Sequence, residues 1–93
     1  MTDSIVDRIR GQIAETDRAL VETINERLEL VRALWRHKEE QGLPLLDPDR
    51  EERMLRYLTE SNGGPLSTEG LAELYAFVLD LTKRETSAQL AEA

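Results

Sequence analysis

A stripe of side chains at alternating spacings of four and three residues runs along the N-terminal part of the chain. This spacing places ten positions on one face of an α-helix, the face that is normally buried. The ten are Val6, Arg10, Ile13, Asp17, Leu20, Ile24, Arg27, Val31, Leu34 and Lys38. Residues 5–41 contain one glycine and no proline. The pattern therefore predicts one very long N-terminal helix.

Two shorter helices are predicted after the long one. Gly42 and Pro44 end the first helix, because glycine suits a helix C-terminus and the residue before a proline disfavours helix. Asp47 and Pro48 favour the start of a second helix, as its cap and first-turn residue. A glycine-rich turn at residues 61–65 precedes a third helix. We predict an all-α fold in a single domain, residues 1–93, with helices at about 5–41, 48–60 and 68–86.

The length of the first helix predicts an oligomer. About 37 helical residues at 1.5 Å each span roughly 55 Å, whereas a compact domain of this size is roughly 30 Å across. The two short helices cannot cover that length, so another chain must bury the rest of the stripe. A homodimer with two-fold symmetry is the simplest arrangement.

Composition excludes several classes of function. The chain has no cysteine and one histidine, His37, which excludes a thiolate metal site and a His-rich metal cluster. We expect no metal and no conventional Ser-His-Asp arrangement. Its net charge of −7 argues against nucleic acid as a partner. The apolar runs are too short to span a membrane, and residues 1–8 do not resemble a signal peptide. We expect a cytoplasmic protein that binds neither nucleic acid nor membranes.

Four of the ten stripe positions are ionisable, namely Arg10, Asp17, Arg27 and Lys38. A buried charge without a partner is strongly destabilising, so each needs one. Asp17 fits a structural role, such as an ion pair or a polar position that sets the register of paired helices. Interhelical salt bridges are one interpretation of the three cations, and an anionic ligand is the other.

The second helix adds two further candidate residues, Arg50 and Glu51. With Arg10, Arg27 and Lys38 they supply several cationic donors and one carboxylate acceptor. Guanidinium groups match carboxylates in a bidentate way. The combination indicates a site for a small dianion that carries a hydroxyl group.

Four sequence blocks resemble the all-helical class of chorismate mutases, and the resemblance covers nearly the whole chain. The blocks are Ile9-Arg10-x-x-Ile13-x-x-x-Asp17, Glu26-Arg27-x-x-Leu30, Lys38-x-x-x-Gly42-x-Pro44, and Asp47-Pro48-x-Arg50-Glu51 with Leu55 and Leu58 after it. The resemblance implies an intertwined homodimer of three-helix chains with active sites shared between the protomers. It also implies the isomerisation of chorismate to prephenate, without a cofactor, in the branch of the shikimate pathway that leads to phenylalanine and tyrosine.

The resemblance implies a role for six residues of these blocks. Arg27 would bind one substrate carboxylate and Arg10 of the other chain would bind the second. Lys38 would contact a carboxylate and the ether oxygen whose bond breaks. Glu51 would accept a hydrogen bond from the ring hydroxyl, helped by backbone near Asp47. Arg50 would line the site.

The third helix departs from the family pattern. With one deletion in the Gly63-Gly64 turn, Thr82 falls where the family has a serine and Thr86 where it has a glutamine that faces the ether oxygen. Threonine is a shorter donor than glutamine. Protonated Glu85 would take that place, or activity would be modest, or the preferred substrate would differ.

Several alternative functions remain open from the sequence. On the same fold, a mutase can act on 4-amino-4-deoxychorismate and a lyase can split isochorismate into salicylate and pyruvate. A non-catalytic helical dimer would use Arg27 and Lys38 as interface ion pairs. A further interpretation is an enzyme that is weak alone and activated by another enzyme of its pathway.

Overall fold

The computed structural model describes residues 3–92, with side chains described for residues 3–87. It contains α1 (Ser4–Gln41), α2 (Pro48–Ser61) and α3 (Thr68–Glu92). The described residues include no strand, so the predicted all-α class is confirmed. The third helix ends at Glu92 and not near residue 86. Residues 86–92 contain neither glycine nor proline, so nothing in their backbone stops the helix.

Both ends of α1 are capped by local interactions. The Asp3 side chain accepts hydrogen bonds from the backbone N–H groups of Ile5 and Val6, at 2.9 and 3.4 Å. At the other end, Gly42 adopts a left-handed conformation with φ of 68°, which glycine reaches without steric cost. The Leu43 N–H donates to the Lys38 carbonyl at 2.8 Å, which completes a Schellman turn. This turn ends α1 at its cap, Gly42, four residues after Lys38.

The caps of α2 and α3 are also encoded locally. Asp47 accepts a hydrogen bond from the Arg50 N–H at 3.1 Å, and Pro48 occupies the first position of α2, where a missing N–H costs little. The hydroxyl of Ser67 accepts from the Gly70 N–H at 3.0 Å at the start of α3. These caps fix where α2 and α3 begin.

The small core lies around the C-terminal half of α1. Helix α3 packs against both α1 and α2, and the buried apolar side chains among the described residues are Trp35, Leu71 and Tyr75. Along the stripe on α1, Arg27 and Val31 are half-buried, whereas residues 3–23 are all exposed. One chain therefore covers only the C-terminal part of the stripe.

The chain is far more extended than a compact domain of its mass. Its principal extents are 61 × 32 × 15 Å and its radius of gyration is 17.3 Å. It exposes 7528 Å² of surface, whereas a compact monomer of 10.6 kDa exposes about 5,500 Å². The excess is roughly 2,000 Å² by that scaling. No helix among residues 3–92 is both long and apolar enough to cross a membrane.

Candidate active site

An open pocket with about 520 Å³ of empty space lies where the end of α1, the start of α2 and the middle of α3 meet. Its apolar wall includes Val31, Leu34, Trp35, Leu46 and Leu79. Its polar wall contains six residues that were predicted from the sequence as site residues, and one more residue from α3. These seven are Arg27, Lys38, Asp47, Arg50, Glu51, Thr82 and Lys83.

Arg27 is fixed from one side by α3. Its Nη1 donates to the Thr82 hydroxyl at 2.6 Å, and that hydroxyl donates in turn to the Val78 carbonyl at 2.6 Å. Thr82 is buried, with 6% of its surface exposed. A guanidinium carries five N–H groups in a planar fork, so one such bond orients Arg27 and leaves further donors for a ligand.

Lys38 lies at the opposite end of the pocket, near the C-terminus of α1. Its Nζ donates to the Leu45 carbonyl at 3.4 Å, a long and therefore weak hydrogen bond. Leu45 follows the Schellman turn, in which the Leu43 N–H donates to the Lys38 carbonyl. An ammonium has three donors, so Lys38 keeps most of its donor capacity for the pocket.

Neither Arg27 nor Lys38 forms a salt bridge with a described residue of its own chain. The ion pairs of α1 instead join Arg18 to Glu15 and Glu22 on the exposed surface. Among the described residues, the partners of Arg27 and Lys38 are thus neutral oxygens. This arrangement favours an anionic ligand over intrachain ion pairing as the reason for these two residues.

The carboxylate of Glu51 forms the one ion pair between helices among the described residues. Its Oε1 lies 3.3 Å from Nζ of Lys83, and the two side chains are 30% and 41% exposed, respectively. Asp47 differs from Glu51 in that its carboxylate caps α2 through the Arg50 N–H. Glu51 is therefore the acceptor of the pocket wall that is not committed to a helix cap.

The charge of the pocket wall is opposite to that of the whole chain. Four cationic side chains, Arg27, Lys38, Arg50 and Lys83, accompany two carboxylates, Asp47 and Glu51, which gives a formal charge of +2. The chain carries −7. Such a local reversal concentrates small anions in the pocket, and a formal +2 complements a dianion.

Two of the predicted site residues lie away from the pocket wall. Arg10 is on the exposed N-terminal half of α1, seventeen residues before Arg27 and hence roughly 25 Å from it along the helix axis. Thr86 is fully buried, and its hydroxyl donates to the Thr82 carbonyl at 2.6 Å. The role of Thr86 at the ether oxygen stays a prediction, and in this structure its hydroxyl is bonded within α3. Glu85, the alternative, is exposed and is not part of the pocket wall.

Sequence reasoning missed Lys83, which the structure places in the pocket. The signal was present, because Lys83 follows the pocket residue Leu79 by four positions and residues at that spacing share a helix face. An apolar cleft continues from the pocket along α1 and α2. It shares Arg27 and Arg50 with the pocket and adds Leu30, Met54, Leu58 and Tyr75.

Fold and pocket together define the class of protein: a small all-helical domain whose pocket wall carries a net positive formal charge. Residues 9–87 match the sequence pattern of one family. The chain belongs to the chorismate mutase type II family, and its function is that of this family of isomerases, which convert chorismate to prephenate.

Solved structures of chorismate mutase from Thermus thermophilus are similar to this chain in sequence and in fold. The form I structure is 33% identical with a TM-score of 0.82, and the match covers 85% of this chain and 99% of that one. The form II structure is 31% identical with a TM-score of 0.87, covering 92% and 98%, respectively. A comparison with curated protein sequences finds no significant match.

Proposed function

We propose that chorismate rearranges to prephenate in the pocket between α1, α2 and α3, in a homodimer whose two sites each use Arg10 from the second copy. The observation that carries this proposal is the convergence of Arg27, Lys38 and Glu51 on one pocket wall of formal charge +2. Chorismate is a dianion with a ring hydroxyl, so it needs cations for its carboxylates and an acceptor for its hydroxyl.

The reaction is intramolecular and pericyclic, so the protein has no proton or electron to transfer. The ether C–O bond breaks while a C–C bond forms within the same molecule. Catalysis then rests on holding the reactive conformer and on stabilising the charge that grows on the ether oxygen in the transition state. Residues that bind and orient are sufficient for this chemistry.

Arg27 holds one carboxylate in this proposal, with Thr82 keeping the guanidinium in place. Arg10 of the second copy holds the other carboxylate. Lys38 contacts a carboxylate and the ether oxygen, and because Thr86 is buried and bonded within α3, we assign the ether oxygen to Lys38 alone.

Residues of α2 bind the ring end of the substrate in this proposal. Glu51 accepts a hydrogen bond from the ring hydroxyl, since its carboxylate is not used as a cap. Backbone near Asp47 assists, and Arg50 lines the same wall. The enzyme would act in the cytoplasm, in the biosynthesis of phenylalanine and tyrosine.

The homodimer is supported by the surface of the single chain. Large apolar residues on the stripe are exposed on the N-terminal half of α1, among them Ile13 at 54% and Leu20 at 57%. The excess surface of roughly 2,000 Å² over a compact monomer is of the size that an obligate dimer buries. Pairing of two α1 helices would cover these residues and would bring Arg10 of one copy to the pocket of the other.

The activity is tested by incubating the purified chain with chorismate and following the loss of its ultraviolet absorbance. We expect prephenate to form at a rate far above that of the spontaneous rearrangement, which a sample without protein measures. The product is identified by its conversion to phenylpyruvate in acid. A folded protein that leaves the spontaneous rate unchanged contradicts the proposal.

The shared site is tested by mixing two impaired variants. Arg10→Ala and Arg27→Ala damage opposite halves of a shared site, so a mixed dimer has one intact site and one site with both changes. Co-refolding equal amounts should restore about a quarter of the wild-type activity, because half of the dimers are mixed and each has one good site.

A matched pair provides the control for this mixing experiment. Arg27 and Lys38 lie on the same chain's part of the pocket, so a mixture of Arg27→Ala with Lys38→Ala should restore nothing. Recovery in both mixtures, or in neither, contradicts the assignment of Arg10 to the second copy.

A further inference from the structure

Lys83 lines the pocket, but the proposed reaction assigns no role to it. It lies on α3, lines the pocket with Leu79 and Thr82, and forms its ion pair with Glu51 of α2 at 3.3 Å. Both side chains are only partly exposed. The ammonium therefore lies beside whichever substrate group Glu51 binds.

Under the proposed function, that substrate group is the ring hydroxyl. A hydroxyl can donate its hydrogen to the Glu51 carboxylate while its lone pairs accept from an ammonium. It satisfies both members of the Lys83–Glu51 pair. A protonated amine at the same ring position has donors only, so it would compete with Lys83 for one carboxylate.

We propose that Lys83 is a specificity-determining residue, which selects a neutral hydroxyl over a cationic amine at the ring position that faces Glu51. This inference rests on the proposed function. Two ammonium groups that share one carboxylate would lie roughly 4–5 Å apart. Repulsion between like charges at that separation, even when screened by solvent, should favour the hydroxyl by about tenfold or more in kcat/KM.

The inference separates two substrates that the family resemblance leaves open, chorismate and 4-amino-4-deoxychorismate. The amine of the second compound is protonated at neutral pH. A pocket with Glu51 alone would attract this ammonium, whereas a pocket with the Lys83–Glu51 pair has already neutralised its acceptor. The presence of Lys83 therefore favours chorismate, the substrate that carries the hydroxyl.

The test compares kcat/KM for the two substrates in four variants of the full chain and the wild type. Lys83→Met keeps the length of the side chain and removes its charge, whereas Lys83→Arg keeps the charge. Arg84→Met is the matched control, because Arg84 is the next residue, is exposed and does not line the pocket, and its loss changes the net charge equally. Lys83→Gln is a second neutral variant, should Lys83→Met fold poorly.

We expect the preference for chorismate to fall by about tenfold or more in Lys83→Met and Lys83→Gln, and to stay at the wild-type value in Lys83→Arg and Arg84→Met. Equal losses on both substrates in the neutral variants would identify a structural role and overturn the inference, with the proposed function intact. A wild-type protein that consumes no chorismate would overturn the proposed function itself, and this inference with it.

Discussion

Replacing Arg27 with alanine is expected to lower kcat/KM for chorismate by about 30- to 1000-fold, because a charge-assisted, bidentate bond to a carboxylate contributes about 2–4 kcal/mol. The bond to a carboxylate exists in the bound substrate as well as in the transition state. KM should therefore rise, and kcat should fall to the extent that Arg27 also holds the reactive conformer. Steady-state kinetics on chorismate measure both effects.

The same substitution should have little effect on folding. Among the described residues, the Arg27 side chain makes one hydrogen bond, to the Thr82 hydroxyl. That hydroxyl keeps its own bond to the Val78 carbonyl. The free energy of unfolding should fall by at most about 1.5 kcal/mol, as urea denaturation would measure.

Arg36→Ala is the matched control for Arg27→Ala. Arg36 is exposed on the same helix, and the nine-residue separation places it on the face opposite Arg27. Kinetics at the wild-type level are expected for this variant. If Arg27→Ala showed the same kinetics as Arg36→Ala, Arg27 would not bind the substrate. The pocket would then lack the residue assigned to that carboxylate.

The sequence predicted most of the pocket because the pocket is built from local features. Arg27 and Lys38 share one face of α1, and Gly42 dictates the turn that follows. The Asp47-Pro48 start of α2 then sets the position of Glu51 relative to that turn. Helical spacing and caps depend on residues close in the chain, so a single sequence carries them.

Contacts within α3 could not be predicted in the same way. The family pattern directed attention to Thr86, but a threonine hydroxyl in a helix can satisfy itself on the carbonyl four residues before it, as Thr86 does with Thr82. A glutamine is long enough to reach out of that position. The rotation of α3 that brings Lys83 to Glu51 depends on packing against α1 and α2, which no spacing rule within α3 specifies.

The role of Arg10 shows a different limit. Its place on the stripe was clear from the sequence, yet one chain leaves it on an exposed segment, roughly 25 Å along the helix axis from Arg27. A helix cannot bend enough to close that distance. Arg10 therefore reaches a pocket only through assembly, and its role stays a prediction that the mixing experiment tests.

Replacing Lys38 with methionine is expected to act mainly on kcat, with a decrease of about 100- to 1000-fold. The reason is that charge grows on the ether oxygen only as its bond breaks, so a cation aimed at this atom stabilises the transition state more than the bound substrate. KM should change less than in Arg27→Ala, since Arg27 and Arg10 would still bind the carboxylates. Steady-state kinetics of the two variants side by side give this comparison.

The free energy of unfolding of Lys38→Met separates a catalytic effect of this substitution from a structural one. Among the residues that the structure describes, the Lys38 ammonium has one hydrogen-bond partner, the Leu45 carbonyl at 3.4 Å. Lys38 also lies in the last turn of α1, where a cation contributes about 0.3–1 kcal/mol through the helix dipole. The free energy of unfolding of Lys38→Met should therefore lie within about 1–2 kcal/mol of the wild-type value. Arg36→Met, which removes an exposed cation two residues earlier, is its control.

The changes of kcat in Lys38→Met and Lys83→Met decide which lysine stabilises the charge on the ether oxygen. A Lys38→Met variant with wild-type kcat would show that another donor stabilises the developing charge. Lys83 would then be the remaining lysine on the pocket wall, and its pairing with Glu51 would have to break in the transition state. A loss of kcat in Lys38→Met that Lys83→Met does not share assigns the ether oxygen to Lys38 and leaves Lys83 to the choice of ring substituent.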